Sequence, residues 1–155
     1  MTPWSGKWAL VTGASAGIGT ALAKELARGG TNLILTARRR ERLDELGQKL
    51  AASHKIQTQI CVADLTEVNA PEKIFRFAKQ QGIEVELLIN NAGFGAYGEF
   101  QSVETRRLTD MVQVNCAAVV HLTRLFLPEM VARRHGDVLI VASTASFQSV
   151  PYIST

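Results

Sequence analysis

The sequence has little of what holds small secreted folds together. Its two cysteines, Cys61 and Cys116, have neither disulfide-framework nor metal-ligand spacing. Both stand in apolar contexts and read as small buried hydrophobes, and no metal site is expected. The start, MTPWSGKWALVTG, lacks the basic-then-apolar order of a secretion signal. No apolar stretch approaches the ~20 residues of a membrane span, so a cytoplasmic protein with no membrane partner is expected. Charge of one sign is not in large excess, with a formal net charge of +3. Basic residues do cluster at Arg38, Arg39, Arg40 and Arg42. No aromatics interleave with them, as single-stranded nucleic-acid binding would favour, and no nucleic-acid partner is expected.

What is present suits one globular domain. The chain has 155 residues, 46% of them hydrophobic and 20% charged, enough for a real core. No repeat, low-complexity segment or linker divides residues 1–155.

Apolar runs and helical patterns alternate. Lys7 to Val11, Leu33 to Thr36, Gln57 to Val62, Leu87 to Ile89 and Asp137 to Ala142 are predicted strands. The third, polar at Gln57 and Gln59, suits a sheet edge. Gly17 to Arg28 is a predicted helix whose Ile18, Leu22 and Leu26 are expected to face the sheet. Arg39 to Ala52 is a second, with Leu43, Leu46 and Leu50 on one stripe. Pro71 fits the first turn of a third and Gly82 the position past its end. Glu104 to Arg134 reads as one long helix with an inward stripe of Leu108, Met111, Asn115, Ala118, Leu122 and Leu125. Pro128 removes one hydrogen bond within it, and a kink is expected there. The order predicts a doubly wound α/β domain, a parallel sheet with helices on both faces. Ligands of such sheets bind beyond the strands' C-terminal ends, where strand order reverses.

The residues Thr12 to Gly19, TGASAGIG, stand at such an end, between the first strand and the first helix. Gly13, Gly17 and Gly19 allow a sharp turn and close approach of a ligand. The helix that follows offers free N–H groups to an anion such as phosphate. A Gly-rich connection with no ligand is the plainer alternative. After the second strand comes Arg38, where an acid would accept bonds from ribose hydroxyls and an arginine suits a 2′-phosphate. Arg39 is second choice for that role, and a solvated helix start is the alternative for both. After the third strand, Asp64 either accepts from an adenine amino group or caps a turn. After the fourth, Asn90-Asn91-Ala92-Gly93 either lets a cofactor pass closely or is ordinary turn chemistry. Asn115 is the odd residue on its apolar stripe, and a mid-helix inward amide suggests a local break or a bound water. Ser143, which ends the fifth strand, is placed either to polarise a substrate carbonyl or to make a turn.

Taken together, TGASAGIG, Asp64-Leu65, NNAG, Asn115 and Ser143 closely resemble the short-chain dehydrogenase/reductase superfamily, from about residue 6 onward. The resemblance implies a Rossmann-type, three-layer αβα fold and NAD(P)-dependent oxidation of alcohols or reduction of carbonyls. It assigns the pyrophosphate site to Gly13, Ser15, Ala16, Gly17, Ile18 and Gly19. It gives the 2′-phosphate to Arg38, the adenine to Asp64 and Leu65, and the nicotinamide-side ribose to Asn91, Ala92 and Gly93. Ser143 would bind the substrate oxygen, and Asn115 would belong to a water-linked proton relay. NADP is expected rather than NAD, with a small carbonyl or alcohol substrate and a homo-oligomeric full-length protein.

The chain departs from the family at its catalytic Tyr-x-x-x-Lys. Counted from Ser143, that tyrosine falls one residue past Thr155, and Tyr152 comes four residues too early. The following helix and the C-terminal strands are absent too, so this chain alone is expected to be inactive. In the family's strand order the fifth strand becomes an edge, and its run Val138 to Val141 is expected to aggregate or pair. An inactive dinucleotide-binding or interaction module is the alternative function. Phe94, Ala96, Tyr97, Phe147, Val150, Pro151 and Tyr152 either form an apolar mouth for a lipid-like, acyl or ring ketone or pack under further chain.

Overall fold

The computed structural model describes residues 2–148 and 150–154. Five parallel strands form its main sheet: β1 (Trp8–Thr12), β2 (Asn32–Ala37), β3 (Thr58–Val62), β4 (Val85–Asn90) and, later in the chain, β6 (Asp137–Ile140). Their order across the sheet is β3-β2-β1-β4-β6. Order therefore reverses between β1 and β4, and β3 is an edge as its polar residues suggested. The helices α1 (Gly17–Arg28), α2 (Arg40–His54) and α3 (Ala70–Gln80) alternate with the first strands. The architecture is the expected three-layer, Rossmann-type α/β fold.

Alternation along each strand feeds two cores. Ala9, Val11, Leu33, Leu35, Leu87 and Ile89 point to one face and meet α1 and α2 through Ala23, Leu26, Leu43, Leu46 and Leu50. Leu10, Ile34 and Leu88 point to the other and meet Ile74 and Ala78 of α3. The opposite side of that layer is the long helical region. It comprises α4 (Thr105–Val112), one π-helical turn (Gln113–Ala117) and α5 (Ala118–Arg133). Phe75 and Phe126 lock α3 to α5 edge-to-face, with ring centroids 5.0 Å apart.

The π turn corrects the predicted stripe. It inserts one residue into the helical register, so the face on the sheet runs Met111, Val114, Ala118, Leu122, Phe126 and Met130. Asn115 and Cys116, expected inside, are exposed, and Leu125 is only half-buried. The local break anticipated at Asn115 is real, and it turns the amide outward. By length and composition the continuous helix 105–133 is long and apolar enough to cross a membrane, contrary to the expectation from apolar runs alone. One face of it is the core just described. α5 continues through Pro128.

In α1 the buried face is Gly19, Ala23, Leu26 and Ala27, while Ile18 is 60% exposed rather than packed on the sheet. Two short strands have no counterpart among the predicted elements: β5 (Ala96–Tyr97) and β7 (Ile153–Ser154) pair antiparallel. Two residues are too few to carry a periodicity. Among the described residues no strand pairs with β6 on the side away from β4, and Leu139 and Ile140 are exposed.

The N-terminal end of the sheet carries a charge network. Glu86, buried in β4, accepts from Lys7 Nζ at 3.0 Å and faces His135 Nδ1 at 2.8 Å. Arg133 Nε lies 3.6 Å from both Glu84 and Glu86, and its guanidinium donates to Val85 O. Burial alone would raise the Glu86 pKa, but the hydrogen bonds and charges of Lys7 and His135 outweigh it and lower the value.

Candidate functional site

A cleft of about 380 Å³ opens at the C-terminal ends of β1, β2, β3 and β4, across the point where strand order reverses. That size suits a small-molecule site, and that position is where open α/β sheets bind ligands.

One wall is the loop between β1 and α1. Gly13, Ser15, Ala16, Gly17 and Ile18 all line the cleft. Gly13 and Gly17 have φ of +67° and +56°, which glycine adopts without strain. A Cβ on Gly13 would stand 2.9 Å from Ala92 Cα, so the two loops touch backbone to backbone. Gly19 does not line the cleft. A Cβ there would meet Gly13 O at 2.4 Å and Asn91 Nδ2 at 2.5 Å, which makes its role the packing of α1 under the loop. Ala16 caps α1 without a side-chain hydrogen bond, leaving the first-turn N–H groups to a ligand.

A second wall follows β2. Arg38 and Arg39 both line the cleft, and no carboxylate stands in this loop. Arg39 Nη2 donates to Ser15 Oγ at 3.0 Å, and Arg38 Nη1 lies 3.9 Å from Asp64 Oδ2. Asp64 Oδ1 also accepts from Thr66 N and Thr66 Oγ1, so this residue caps a turn while facing Arg38. Leu65 is beside it in the cleft. Burial pushes up the pKa of the Cys61 thiol, partly offset by Lys73 and Thr36, so Cys61 stays a packed, neutral group.

The third wall, after β4, includes Asn91, Ala92, Gly93 and Phe94. Thr12, which opens the TGASAGIG run and was assigned no role of its own, governs its geometry. Its buried Oγ1 donates to Ile89 O and accepts from Asn91 N at 2.8 Å and Ala92 N at 2.9 Å. Asn91 Nδ2 returns a bond to Thr12 O at 2.8 Å. The exposed Asn115 reaches the same loop: its Oδ1 accepts from Phe94 N and its Nδ2 donates to Phe94 O at 2.9 Å. Asn115 therefore holds the wall without lining the cleft.

Ser143 lies beyond β6, which ends at Ile140, and is exposed. Its Oγ accepts from Ala145 N in a short 3₁₀ turn, Thr144–Ser146. Because Val141 N still bonds Asn90 O, Ser143 stands at the same end of the sheet as the NNAG loop. It is not among the residues of the cleft.

The structure thus gathers, at one sheet end, free helix N–H groups, two guanidinium groups and a close-approach glycine turn. Such a set fits a dianionic diphosphate with a further phosphate near Arg38 and Arg39.

Known proteins share this arrangement. A family model described as short chain dehydrogenase matches residues 7–155. Very-long-chain 3-oxoacyl-CoA reductase-A of Danio rerio is 36% identical over 99% of this chain and 49% of its own length. L-sorbose reductase of Gluconobacter frateurii, solved with NADPH and L-sorbose, superposes with a TM-score of 0.91 at 27% identity, over 97% of this chain and 57% of that one. A short-chain dehydrogenase of Sphingobium yanoikuyae in complex with NADPH gives 0.89 at 28% identity, over 96% and 57%. The chain spans about half the length of the curated relatives it matches.

Proposed function

The chain belongs to the short-chain dehydrogenase family, a family of oxidoreductases, and from that premise we propose that it binds NADP(H) for interconversion of a carbonyl and an alcohol. The observation that carries the choice of NADP(H) is the pair Arg38 and Arg39 at the end of β2, where no carboxylate stands and Arg39 already reaches Ser15. Ribose hydroxyls call for an acceptor at this position; a 2′-phosphate calls for these donors.

In this reading the N–H groups of residues 15–19 hold the diphosphate. Arg38 and Arg39 hold the 2′-phosphate, and Asp64 and Leu65 border the adenine. Asn91, Ala92 and Gly93, fixed by Thr12, border the nicotinamide-side ribose. When bound, the cofactor supplies or takes a hydride. Ser143 holds the substrate oxygen by its hydroxyl, and Asn115 keeps the neighbouring loop in place and takes part in passing the proton through water. The exposed aromatic side chains Tyr97, Phe147 and Tyr152 beyond the sheet favour an acyl or lipid-like ketone over a sugar. Reduction of 3-oxoacyl groups, the activity named for the Danio rerio relative, is in keeping with that surface.

No tyrosine in the 155 residues has a lysine four positions after it, so a polypeptide of these residues alone is proposed to bind the cofactor without turnover.

Titration with NADPH and NADH, followed by nicotinamide fluorescence, tests the reading. Tighter binding of NADPH by about tenfold or more is expected, the worth of one charge-assisted contact set. Equal affinities would overturn the NADP assignment, and no binding would overturn the cofactor site.

A further inference from the structure

The first turn of α4 carries two arginines, Arg106 and Arg107, and no acid. Cations are mildly unfavourable at a helix N-terminus, so each needs another partner. Arg106 has one on its own helix: its Nε lies 3.8 Å from Asp110 Oδ2. Arg107 has no carboxylate within ion-pairing distance among the described residues. Its Nη2 donates to Gly95 O at 3.0 Å, and its guanidinium lies over the Phe94 ring, 5.5 Å from the centroid.

Both contacts fall on one short loop. Phe94 lines the cleft and packs partly on the core, while Gly93 and Gly95 flank it. Gly95 has nothing within 4 Å of the position a Cβ would take, so packing does not restrain it. Asn115 fixes the Phe94 backbone from one side. Among the described residues the Gly95 carbonyl has its side-chain hydrogen bond from Arg107 alone, and the Phe94 ring lies between the core and the Arg107 guanidinium. Without it, one unrestrained glycine would join the cleft wall directly to β5.

We propose that Arg107 is a positioning residue for the nicotinamide half of the cofactor, holding the Phe94-Gly95 wall in its binding geometry through the Gly95 carbonyl and the Phe94 ring. This rests on the reading that Asn91 to Gly93 border the nicotinamide-side ribose. Arg107 touches neither cofactor nor substrate; it acts through Phe94. The adenosine half, held between Arg38, Arg39 and Asp64, is independent of it.

That division supplies the test. Affinities of the chain for NADPH and for adenosine 2′,5′-bisphosphate, which has only the adenosine half, are measured for the unaltered protein, Arg107→Ala, Arg107→Lys and Arg106→Ala. Arg107→Ala is expected to weaken NADPH binding about fivefold, the worth of one lost hydrogen bond and cation–π contact, and to leave the bisphosphate unchanged. Arg107→Lys, which keeps the donor and the charge, should recover part of the loss, and Arg106→Ala should match the unaltered chain for both ligands. Unchanged NADPH affinity in Arg107→Ala, or an equal loss for both ligands, would overturn the proposal. If Arg107→Ala does not fold, Arg107→Lys decides by the same split between ligands. Failure of the unaltered chain to bind the bisphosphate would overturn the cofactor reading itself, and this proposal with it.

Discussion

Arg39, the residue just before α2, donates its guanidinium to Ser15 Oγ in the loop before α1, 3.0 Å away. The contact joins two loops that the chain separates by 24 residues, and it leaves an arginine and a hydroxyl side by side at the cleft rim. A phosphate entering there meets donors already in place, which lowers the ordering cost of binding.

Replacing this donor set should show its selectivity. Arg38→Ala and Arg39→Ala are each expected to weaken NADPH binding by about tenfold, from the loss of a charge-assisted hydrogen bond, while NADH binding changes little. Equal losses for both cofactors in a fluorescence titration would mean that the arginines do not read the 2′-phosphate.

Gly17 and Gly19, in the first turn of α1, make opposite demands. Gly19→Ala places a methyl against the Gly13 carbonyl, at 2.4 Å, where backbone has to move; marked destabilisation and loss of binding are expected. Gly17→Ala meets no atom within 4 Å but carries a left-handed φ of +56°, so it should cost about 1 kcal/mol. Urea unfolding of both variants checks the order, and a Gly17 variant less stable than the Gly19 one would refute it.

Thr12 spans the β1 and β4 ends through its hydroxyl. Thr12→Val keeps the shape and strands two half-buried N–H groups, those of Asn91 and Ala92. A loss of about 2 kcal/mol is expected by denaturant unfolding, together with weaker NADPH binding, whereas Thr12→Ser should retain most of both.

Glu86 sets a pH dependence. Its pKa is lower in the folded chain than its ordinary value of 4.5, with Lys7 and His135 as the stabilising neighbours. The stability it contributes is therefore fully present above pH 4.5 and is lost as pH falls below that through the folded value. Glu86→Gln should be less stable than the unaltered chain at pH 7 by about 2 kcal/mol, and the difference should close on acidification. A gap that widens toward low pH would reverse the sign.

The open edge of β6 should associate. Light scattering is expected to show concentration-dependent self-association that Ile140→Lys reduces, because an edge charge blocks strand pairing. A chain that stays monomeric at several hundred micromolar, with or without the lysine, would show the edge to be protected by other means.

Much of this was legible in the sequence, for reasons that differ by residue. TGASAGIG, Arg38, Asp64 and NNAG each follow a predicted strand, and a parallel sheet brings the ends of its strands together, so chain order alone located the cleft. A regular helix would carry Asn115 inward from Met111; one extra residue in a π turn rotates everything after it, and no local pattern announces the insertion. Ile18 shares a helical stripe with Leu26 yet lines the cleft, because in the first turn of α1 the packing position is taken by Gly19, tight against the Gly13 carbonyl. The hydroxyl of Thr12 and the guanidinium of Arg107 act on loops 79 and 12 residues away, pairings that only the folded topology creates.

The strand β4 has Glu86 near one end and leads into Asn91 at the other. At about 3.3 Å per residue the two stand roughly 16 Å apart, around two Debye lengths at physiological ionic strength. The acid-sensitive charge network and the cleft wall are thus set at opposite ends of one strand, far enough apart that charge redesign at the first leaves the electrostatics of the second nearly untouched. Selection, or an engineer, is free to adjust one without retuning the other.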